Sequence, residues 1–290
     1  MSTVSLPNLD RLALPQGTVT YRAAGPSNST LPPVVFVHGL LVDGLLWTGV
    51  ADALAQSGVR SYAPNWPLGS HTEPMRADAD LTPRGVARIV IDFLTALDLV
   101  DVTLVGNDTG GAICQFLIDT DHDRIGRLVL TNCDAFDTFP PAPFMLLVKA
   151  GRWAKLLKPM LASMRPTFLR HGPLGFGLLF NTEPNAAVTR GWIEPCASDK
   201  AIRRDTAKLM RGINPQELLD ASTRFSGFAK PVHLIWGDAD KYFKISFAER
   251  LAAVFPNAQV TRVVGGRTFI PMEQPDQVAA VIAAPVDYTT

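Results

Sequence analysis

The segment Val105-Gly106-Asn107-Asp108-Thr109-Gly110-Gly111 follows an apolar run at 102–105 and precedes a helical pattern at 110–119. Small residues on both sides of Asp108 are typical of a tight turn from strand to helix, which holds the central residue in strained backbone geometry. Such a turn presents the central side chain at a helix N-terminus, where backbone N–H groups and the helix dipole favour negative charge. We therefore expect Asp108 to be a functional residue.

Further strand and helix patterns flank this turn on both sides. An alternating strand is predicted at 17–25, and buried strands are predicted at 33–38, 59–63, 128–131, 232–236 and 260–264. Helices are predicted at 47–57, from Pro83 with Thr82 as N-cap, and at 246–254. Strands that alternate with helices at this spacing predict parallel βαβ units and a doubly wound sheet.

One segment breaks this alternation. Residues 138–228 carry helical apolar patterns and proline- and glycine-rich turns, without strand runs. We therefore predict a core of residues 1–137 and 229–290 with a helical cap inserted at 138–228. The first part of the cap, 138–182, holds six Lys or Arg residues and no Asp or Glu. This pattern is typical of a solvated helix face, and a basic lid that attracts an anionic substrate or a membrane surface is the alternative.

Composition excludes several classes of protein. Hydrophobic residues make up 47% of the 290 residues and charged residues 19%, which excludes global disorder. Lys plus Arg and Asp plus Glu number 27 each, so no overall charge favours binding to nucleic acid. Three cysteines without a CxxC motif indicate neither a disulfide framework nor a structural zinc site, and we expect no metal and no cofactor.

The chain also lacks membrane and targeting patterns. No apolar run approaches the roughly 18–20 residues that a membrane helix needs. The first residues, MSTVSLPN, have neither a charged n-region nor an apolar h-region. We expect a soluble, cytoplasmic protein that acts on a small molecule. Membrane binding is not favoured, and the basic stretch at 149–170 is the one hint of such binding.

The motifs together resemble those of the α/β-hydrolase superfamily. The similarity covers nearly the whole chain and includes His38-Gly39, the turn at 106–111, the cap and Trp236-Gly237-Asp238-Ala239-Asp240. An aspartate at the turn narrows the resemblance to the haloalkane dehalogenase and epoxide hydrolase branch. The resemblance implies an α/β-hydrolase fold, a mostly parallel doubly wound sheet with an inserted helical cap.

The resemblance also implies a two-step reaction. The Asp108 carboxylate would attack an sp³ carbon and form an alkyl-enzyme ester. Backbone N–H groups of Leu40 and Thr109 would form the oxyanion hole for hydrolysis of that ester. Hydrolysis needs a histidine oriented by an acid, and Asp240 matches the usual acid position, with Asp134 as the second candidate.

The sequence departs from this family where the histidine is expected. The family pattern at this point is a histidine and a phenylalanine followed by an acidic residue and a proline. Phe269, Glu273 and Pro275 align with the last three of these, and Thr268 stands where the histidine is expected, in the segment Gly265-Gly266-Arg267-Thr268-Phe269-Ile270-Pro271-Met272-Glu273-Gln274-Pro275. No histidine follows His233. The residue after the nucleophile is Thr109 rather than the halide-binding tryptophan, and 138–228 contains no tyrosine that could protonate an epoxide.

Three interpretations of the missing base stay open. Another residue supplies it, with His71 and His38 as candidates; or Asp108 is an acid–base group of a lyase, isomerase or cyclase type of enzyme; or the chain is an inactive member that binds a ligand. The substrate pocket is predicted to include His38, Trp153, Trp192, Thr268 and Phe269. The favoured prediction is an α/β-hydrolase-fold enzyme in which Asp108 attacks a small, largely apolar substrate.

Overall fold

The computed structural model describes residues 9–285, which form one mixed sheet of eight strands. The strand order is β1-β2-β4-β3-β5-β6-β7-β8, with β1 and β2 antiparallel to their neighbours and the rest parallel. The strands are β1 Asp10–Leu14, β2 Gly17–Ala24, β3 Val34–Val37, β4 Ser61–Pro64, β5 Val102–Asp108, β6 Ile125–Cys133, β7 Val232–Gly237 and β8 Ala258–Val263. The chain start, for which no targeting signal is expected, lies outside the described residues.

Helices cover both faces of the sheet, and six further helices lie between β6 and β7. The core helices are α1 Thr48–Gln56, α2 Pro83–Ala96, α3 Thr109–Thr120, α10 Ile245–Val254, α11 Ile270–Glu273 and α12 Pro275–Ala283. Between β6 and β7, the structure has α4 Ala142–Gly151, α5 Ala154–Ser163, α6 Thr167–Arg170, α7 Ala186–Ser198, α8 Lys200–Gly212 and α9 Pro215–Ser222. These six helices lie inside the predicted cap, and we refer to residues 138–228 as the cap.

The predicted doubly wound sheet is confirmed, with element boundaries that differ by a few residues. Thr82 caps α2 as predicted, since its side chain accepts a hydrogen bond from the backbone N–H of Gly85. The sequence analysis missed β1 because Asp10–Leu14 is an edge strand with a mostly exposed side-chain pattern. A short edge strand buries too little apolar surface to leave a clear pattern in the sequence.

The central strands β3, β5 and β6 are almost wholly buried. Their carboxyl ends meet at one edge of the sheet, where ligands bind in open α/β folds. The cap helices pack over this edge, and the cap is tied to the core by hydrogen bonds from Ser70 Oγ to the carbonyl of Trp192 and from the Met75 N–H to Asp205. No described helix is long and apolar enough to span a membrane.

Candidate active site

Asp108 is the last residue of β5 and precedes α3, with φ 54° and ψ −132°. This left-handed backbone is strained for a residue with a side chain, and the surroundings keep it in place. A Cβ at Gly110 would clash with the carbonyl of Val37, and a Cβ at Gly111 would clash with Cys133. The two glycines are therefore required because α3 packs directly against the ends of β3 and β6.

The Asp108 carboxylate lies against the loop that follows β3. A Cβ on Gly39 would clash with Asp108 Oδ2, so a glycine is needed there to leave space for the carboxylate. Backbone N–H groups of Thr109 and Leu40 donate to the carboxylate. These are the two groups predicted as the oxyanion hole, and the structure brings both to Asp108.

The pKa of Asp108 is raised from its ordinary value to about 7. Burial is the main cause, because the low-dielectric surroundings disfavour the charged form. The negative charge of Asp240 raises this pKa further, while the N–H groups of Thr109 and Leu40 lower it. A carboxyl group with this pKa changes its charge near neutral pH and can act either as a nucleophile or as an acid–base group.

Asp108 opens into a narrow cavity of about 70 Å³ between the core and the cap. The core contributes Leu40, Leu41 and Thr109, and the remaining lining is almost wholly apolar. It consists of Pro140, Pro141, Phe144, Leu147, Met164, Leu174, Gly175, Phe176 and Leu179. A small, apolar ligand suits this lining.

Asp240 follows β7 and lies in a dense network of hydrogen bonds. Thr268 Oγ1 donates to Asp240 Oδ2 over 2.9 Å, and Asn132 Nδ2 donates to the same oxygen over 2.9 Å. Backbone N–H groups of Tyr242 and Phe243 donate to Oδ1. Burial raises the pKa of Asp240, although these four donors oppose the shift. Thr268 is fully buried beside Asp240, at the position where the resemblance predicts a histidine.

Asp134 follows β6 and is fully buried next to the strand that ends in Asp108. Its backbone N–H donates to the carbonyl of Asp108 over 3.4 Å. Neither carboxyl oxygen has a hydrogen-bond partner in the described part of the chain, although the Thr109 side chain lies close enough to favour the charged form. Burial, and then the charge of Asp108, raise the pKa of Asp134 well above its ordinary value. The raised pKa favours the protonated form of Asp134.

The two histidines considered as replacement bases are both buried and hydrogen bonded. His38 Nδ1 bonds to the carbonyl of Gly39 and Nε2 accepts from the Trp66 N–H, while burial lowers its pKa to about 4. His71 contacts Asp205 of α8 over 3.5 Å. Among the described residues, neither histidine lines the cavity at Asp108.

The predicted aromatic pocket residues lie elsewhere. Trp153 directly precedes α5, and its side chain is 64% exposed. It therefore points into solvent rather than into the cavity. Trp192 and Phe269 pack against each other in a buried aromatic cluster with ring centroids 5.7 Å apart. Phe176 lines the cavity and contacts Trp192, so this cluster supports the cavity wall from behind. Of the described residues, those that line the cavity do not include Trp153, Trp192, Phe269 or Thr268.

Two asparagines that connect the site were not found in the sequence analysis. Asn107 Nδ2 donates to the carbonyl of Thr268 over 2.7 Å and to Thr131 Oγ1 over 2.9 Å. Asn132 Oδ1 accepts from the Gly237 N–H, while its amide nitrogen holds Asp240. The sequence signal that could have identified them is an asparagine at the end of a buried strand. A buried amide needs a hydrogen-bond partner, because leaving it unpaired is costly.

Metal binding has no obvious site in this region. Across residues 9–285, no group of three or more His, Cys, Asp or Glu side chains is arranged to hold a metal ion. The cysteines at 114, 133 and 196 are free and buried.

Comparison with known proteins agrees with this geometry. A family model described as the alpha/beta hydrolase fold matches residues 32–275. Haloalkane dehalogenase 2 of Mycobacterium tuberculosis is 27% identical over 265 residues, which cover 87% of each chain. A 2-hydroxy-6-oxononadienedioate/2-hydroxy-6-oxononatrienedioate hydrolase of Paraburkholderia xenovorans is 25% identical over 246 residues, covering 83% of this chain and 80% of that protein.

Solved structures are similar in fold. The haloalkane dehalogenase DbeA of Bradyrhizobium elkani USDA94 superposes with a TM-score of 0.77 at 17% identity, covering 95% of this chain and 96% of that one. The epoxide hydrolase CorEH superposes with a TM-score of 0.75 at 17% identity over the same shares of the two chains. At this identity the similarity extends to the fold alone.

Proposed function

The chain belongs to the alpha/beta hydrolase fold family, and on this basis we propose that it is a hydrolase-type enzyme in which Asp108 attacks a small alkyl halide or epoxide. Its sequence similarity to a haloalkane dehalogenase supports this chemistry. The position of Asp108 also supports it, because the carboxylate faces an apolar cavity and stands beside two backbone N–H donors.

The first step requires only groups that are already at the site. One Asp108 oxygen forms a bond to an sp³ carbon as the carbon–halogen bond breaks, and the halide leaves with the bonding electrons. The product is an ester on Asp108. The N–H groups of Leu40 and Thr109 then face the second carboxyl oxygen, where they can stabilise negative charge in a later attack on the ester.

An epoxide additionally needs a proton on its leaving oxygen. Burial favours the protonated form of Asp134 by raising its pKa, and the side chain beside it belongs to Thr109, which lines the cavity. We assign to Asp134 the delivery of that proton through the Thr109 hydroxyl. The C–O bond then breaks as the Asp108–carbon bond forms, and the alkoxide oxygen receives the proton.

The ester is expected to persist. Hydrolysis requires a base that removes a proton from water, and a threonine hydroxyl has no such basicity near neutral pH. The observation that carries the proposal is the bond from Thr268 Oγ1 to Asp240 Oδ2, because it fills the acid's histidine-binding position with a proton donor. We thus propose that Asp108 is alkylated readily and that the resulting ester is hydrolysed slowly.

Intact-protein mass spectrometry tests the proposal directly. After incubation with a short alkyl bromide the wild-type chain should gain one alkyl group, and after incubation with a terminal epoxide it should gain the mass of the whole epoxide, in both cases mapped by peptide analysis to Asp108. Asp108→Asn should gain none. Asp134→Asn should still react with the bromide and lose most of its reaction with the epoxide. No adduct and no released product from either reagent would reject the nucleophilic role.

A second candidate is acid–base catalysis without a covalent intermediate. The observation in its favour is that Asp108, with a pKa of about 7, lies beside Asp134, whose pKa is raised by burial and by the charge of Asp108, and two such carboxyl groups can pass a proton. This function predicts turnover that depends on both aspartates with no adduct on either. A ligand that raises the thermal stability of both wild type and Asp108→Asn, without turnover, would instead indicate an inactive binding protein.

A further inference from the structure

The exposed apolar side chains of this protein are concentrated on the outside of the cap. Of the eleven large hydrophobic residues that are exposed in the described chain, six lie between residues 146 and 174. They are Leu146, Trp153, Leu156, Phe168, Leu169 and Leu174. We refer to these residues, with the exposed lysines among them, as the outer cap face. Exposed apolar residues gathered in this way mark an interaction surface rather than ordinary surface composition.

The charge of the outer cap face is of one sign. No Asp or Glu occurs from 138 to 182. Arg170 is buried against backbone carbonyls, and Arg165 is paired with Glu194 over 2.8 Å. Lys149, Lys155 and Lys158 are exposed and pair with no carboxylate of the described chain. Three uncompensated cations therefore stand among the exposed apolar side chains.

The lysines and apolar residues alternate on the same helices. In α4, Leu146 and Lys149 are three residues apart and lie on the exposed face, while Phe144 and Leu147 face the cavity. In α5, Leu156 lies between Lys155 and Lys158. Helices that present Lys together with Trp, Leu and Phe toward solvent have the composition of segments that lie in the interface of a membrane.

We propose that the outer cap face docks on the surface of an anionic lipid membrane. Anionic headgroups would neutralise the three lysines, and the apolar side chains would enter the boundary between headgroups and acyl chains. A second copy of the chain fits less well. A two-fold contact through this face would bring two sets of these lysines into one interface, and residues 138–182 contain no Asp or Glu to neutralise them.

The cavity at Asp108 reaches the same face. Leu174 is 93% exposed and also lines the cavity, and the lining residue Met164 directly precedes Arg165 at the end of α5. An apolar substrate dissolved in the membrane would therefore enter at the docked surface. This entry route rests on the proposed function, whereas the docking itself does not.

Flotation with lipid vesicles tests the docking. Wild type should bind vesicles of phosphatidylcholine mixed with phosphatidylglycerol at low salt, and should bind weakly at high salt or to phosphatidylcholine alone. Each lysine near an anionic surface contributes about fivefold in affinity, so the triple change Lys149→Gln, Lys155→Gln and Lys158→Gln should weaken binding roughly a hundredfold. Lys200→Gln, an exposed lysine of the cap outside this face, is the matched control and should bind as wild type.

Insertion is tested with the apolar residues. Leu146→Glu and Phe168→Glu should each weaken vesicle binding at least tenfold, and Val100→Glu, at an exposed valine just before the amino end of β5, should not. Brominated lipid should quench the fluorescence of the wild type, and Trp153→Phe should remove that quenching. Alkylation of Asp108 by a water-soluble bromide, measured without vesicles, separates this proposal from the proposed function.

Two results would overturn the docking proposal, and a third would assign the outer cap face to a contact between copies of the chain. Absence of wild-type binding to anionic vesicles at low salt would overturn the proposal, as would binding that the triple lysine variant retains. If Leu146→Glu instead converts a dimer to a monomer in analytical ultracentrifugation, and vesicles are not bound, the face is a contact between copies of the chain.

Discussion

At the residue scale, Asp108 combines a strained backbone with a carboxyl group whose charge is poorly tolerated. Its left-handed φ is held by the packing of Gly110 and Gly111 against neighbouring strands. Its carboxylate is nucleophilic only when ionised, while burial and the Asp240 charge oppose ionisation. The same environment that presents the side chain to the cavity therefore limits its reactivity below neutral pH.

The rate of Asp108 alkylation should depend on pH. Because the carboxylate is the reactive form and its pKa is about 7, the rate with an alkyl bromide should rise about tenfold per pH unit below 7 and level off above it. Stopped time courses followed by mass spectrometry between acidic and mildly alkaline pH give the profile. A rate that is constant from weakly acidic to alkaline pH would show an ordinary aspartate pKa instead.

Thr268→His should restore the second step. An imidazole at this position can accept a hydrogen bond from water and donate one to Asp240 Oδ2, the oxygen that Thr268 now occupies. We expect the adduct on Asp108 to disappear with time and product release to increase at least tenfold. Thr268→Val removes the hydroxyl without supplying a base and should leave the adduct in place. A folded Thr268→His variant that keeps its adduct would contradict this account of the missing base.

At the scale of elements, a buried carboxylate of α8 binds the core, beside bonds from Arg204 to the Met75 carbonyl and from Lys208 to the Ala77 and Ala79 carbonyls. Asp205 accepts from the Met75 N–H over 2.8 Å and from Arg204 Nε over 2.8 Å, and it contacts His71. The segment 71–79, which leads from β4 to α2, is thus held against the cap. An acidic residue on an otherwise basic helix gave no indication of this role in the sequence, because its core partners Met75 and His71 are 130 and 134 residues away.

Asp205→Ala should destabilise the fold strongly. The change leaves a buried N–H and the side chains of Arg204 and His71 without their acceptor, a loss of about 2–4 kcal/mol in the free energy of unfolding. Asp78→Ala is the matched control, since that side chain is 76% exposed and pairs only with Arg76. The control should leave the urea unfolding midpoint close to that of wild type, because an exposed ion pair adds little stability. Similar effects of the two changes would argue against Asp205 as an anchor.

For the whole molecule, cap and core form one packed unit. The Trp192 indole of α7 donates to Asp43 over 2.9 Å and packs on Phe269, while the Trp192 carbonyl accepts from Ser70. These contacts are buried, so separating the cap would expose large apolar surface. The cavity at Asp108 exists because both parts contribute to its walls.

Thermal unfolding should therefore be a single transition. Because Trp192 joins the cap to the core loops, calorimetry, far-ultraviolet circular dichroism and tryptophan fluorescence should give the same midpoint. Phe269→Ala, which removes a core ring from this contact, should lower that midpoint while keeping one transition. Two separate transitions in wild type would mean that the cap unfolds independently.

The sequence by itself determined the sheet, the turn at Asp108 and the absence of any histidine after His233. These depend on local patterns: apolar runs of strand length, small residues around a tight turn, and the residue type at one position near the end of the chain. The same patterns could not place Asp134, Asn107 or Asn132, because a polar residue at a strand end shows its partner only when neighbouring strands are aligned.

Only the tertiary structure decided what surrounds Asp108. It placed the buried carboxyl group of Asp134 beside Asp108, set Thr268 against Asp240 as a hydrogen-bond donor, and lined the cavity with cap residues such as Phe144 and Met164. It also turned Trp153 into solvent and Trp192 into the interior. Helical spacing predicts which residues share a face, but which face is buried depends on the elements that pack against it.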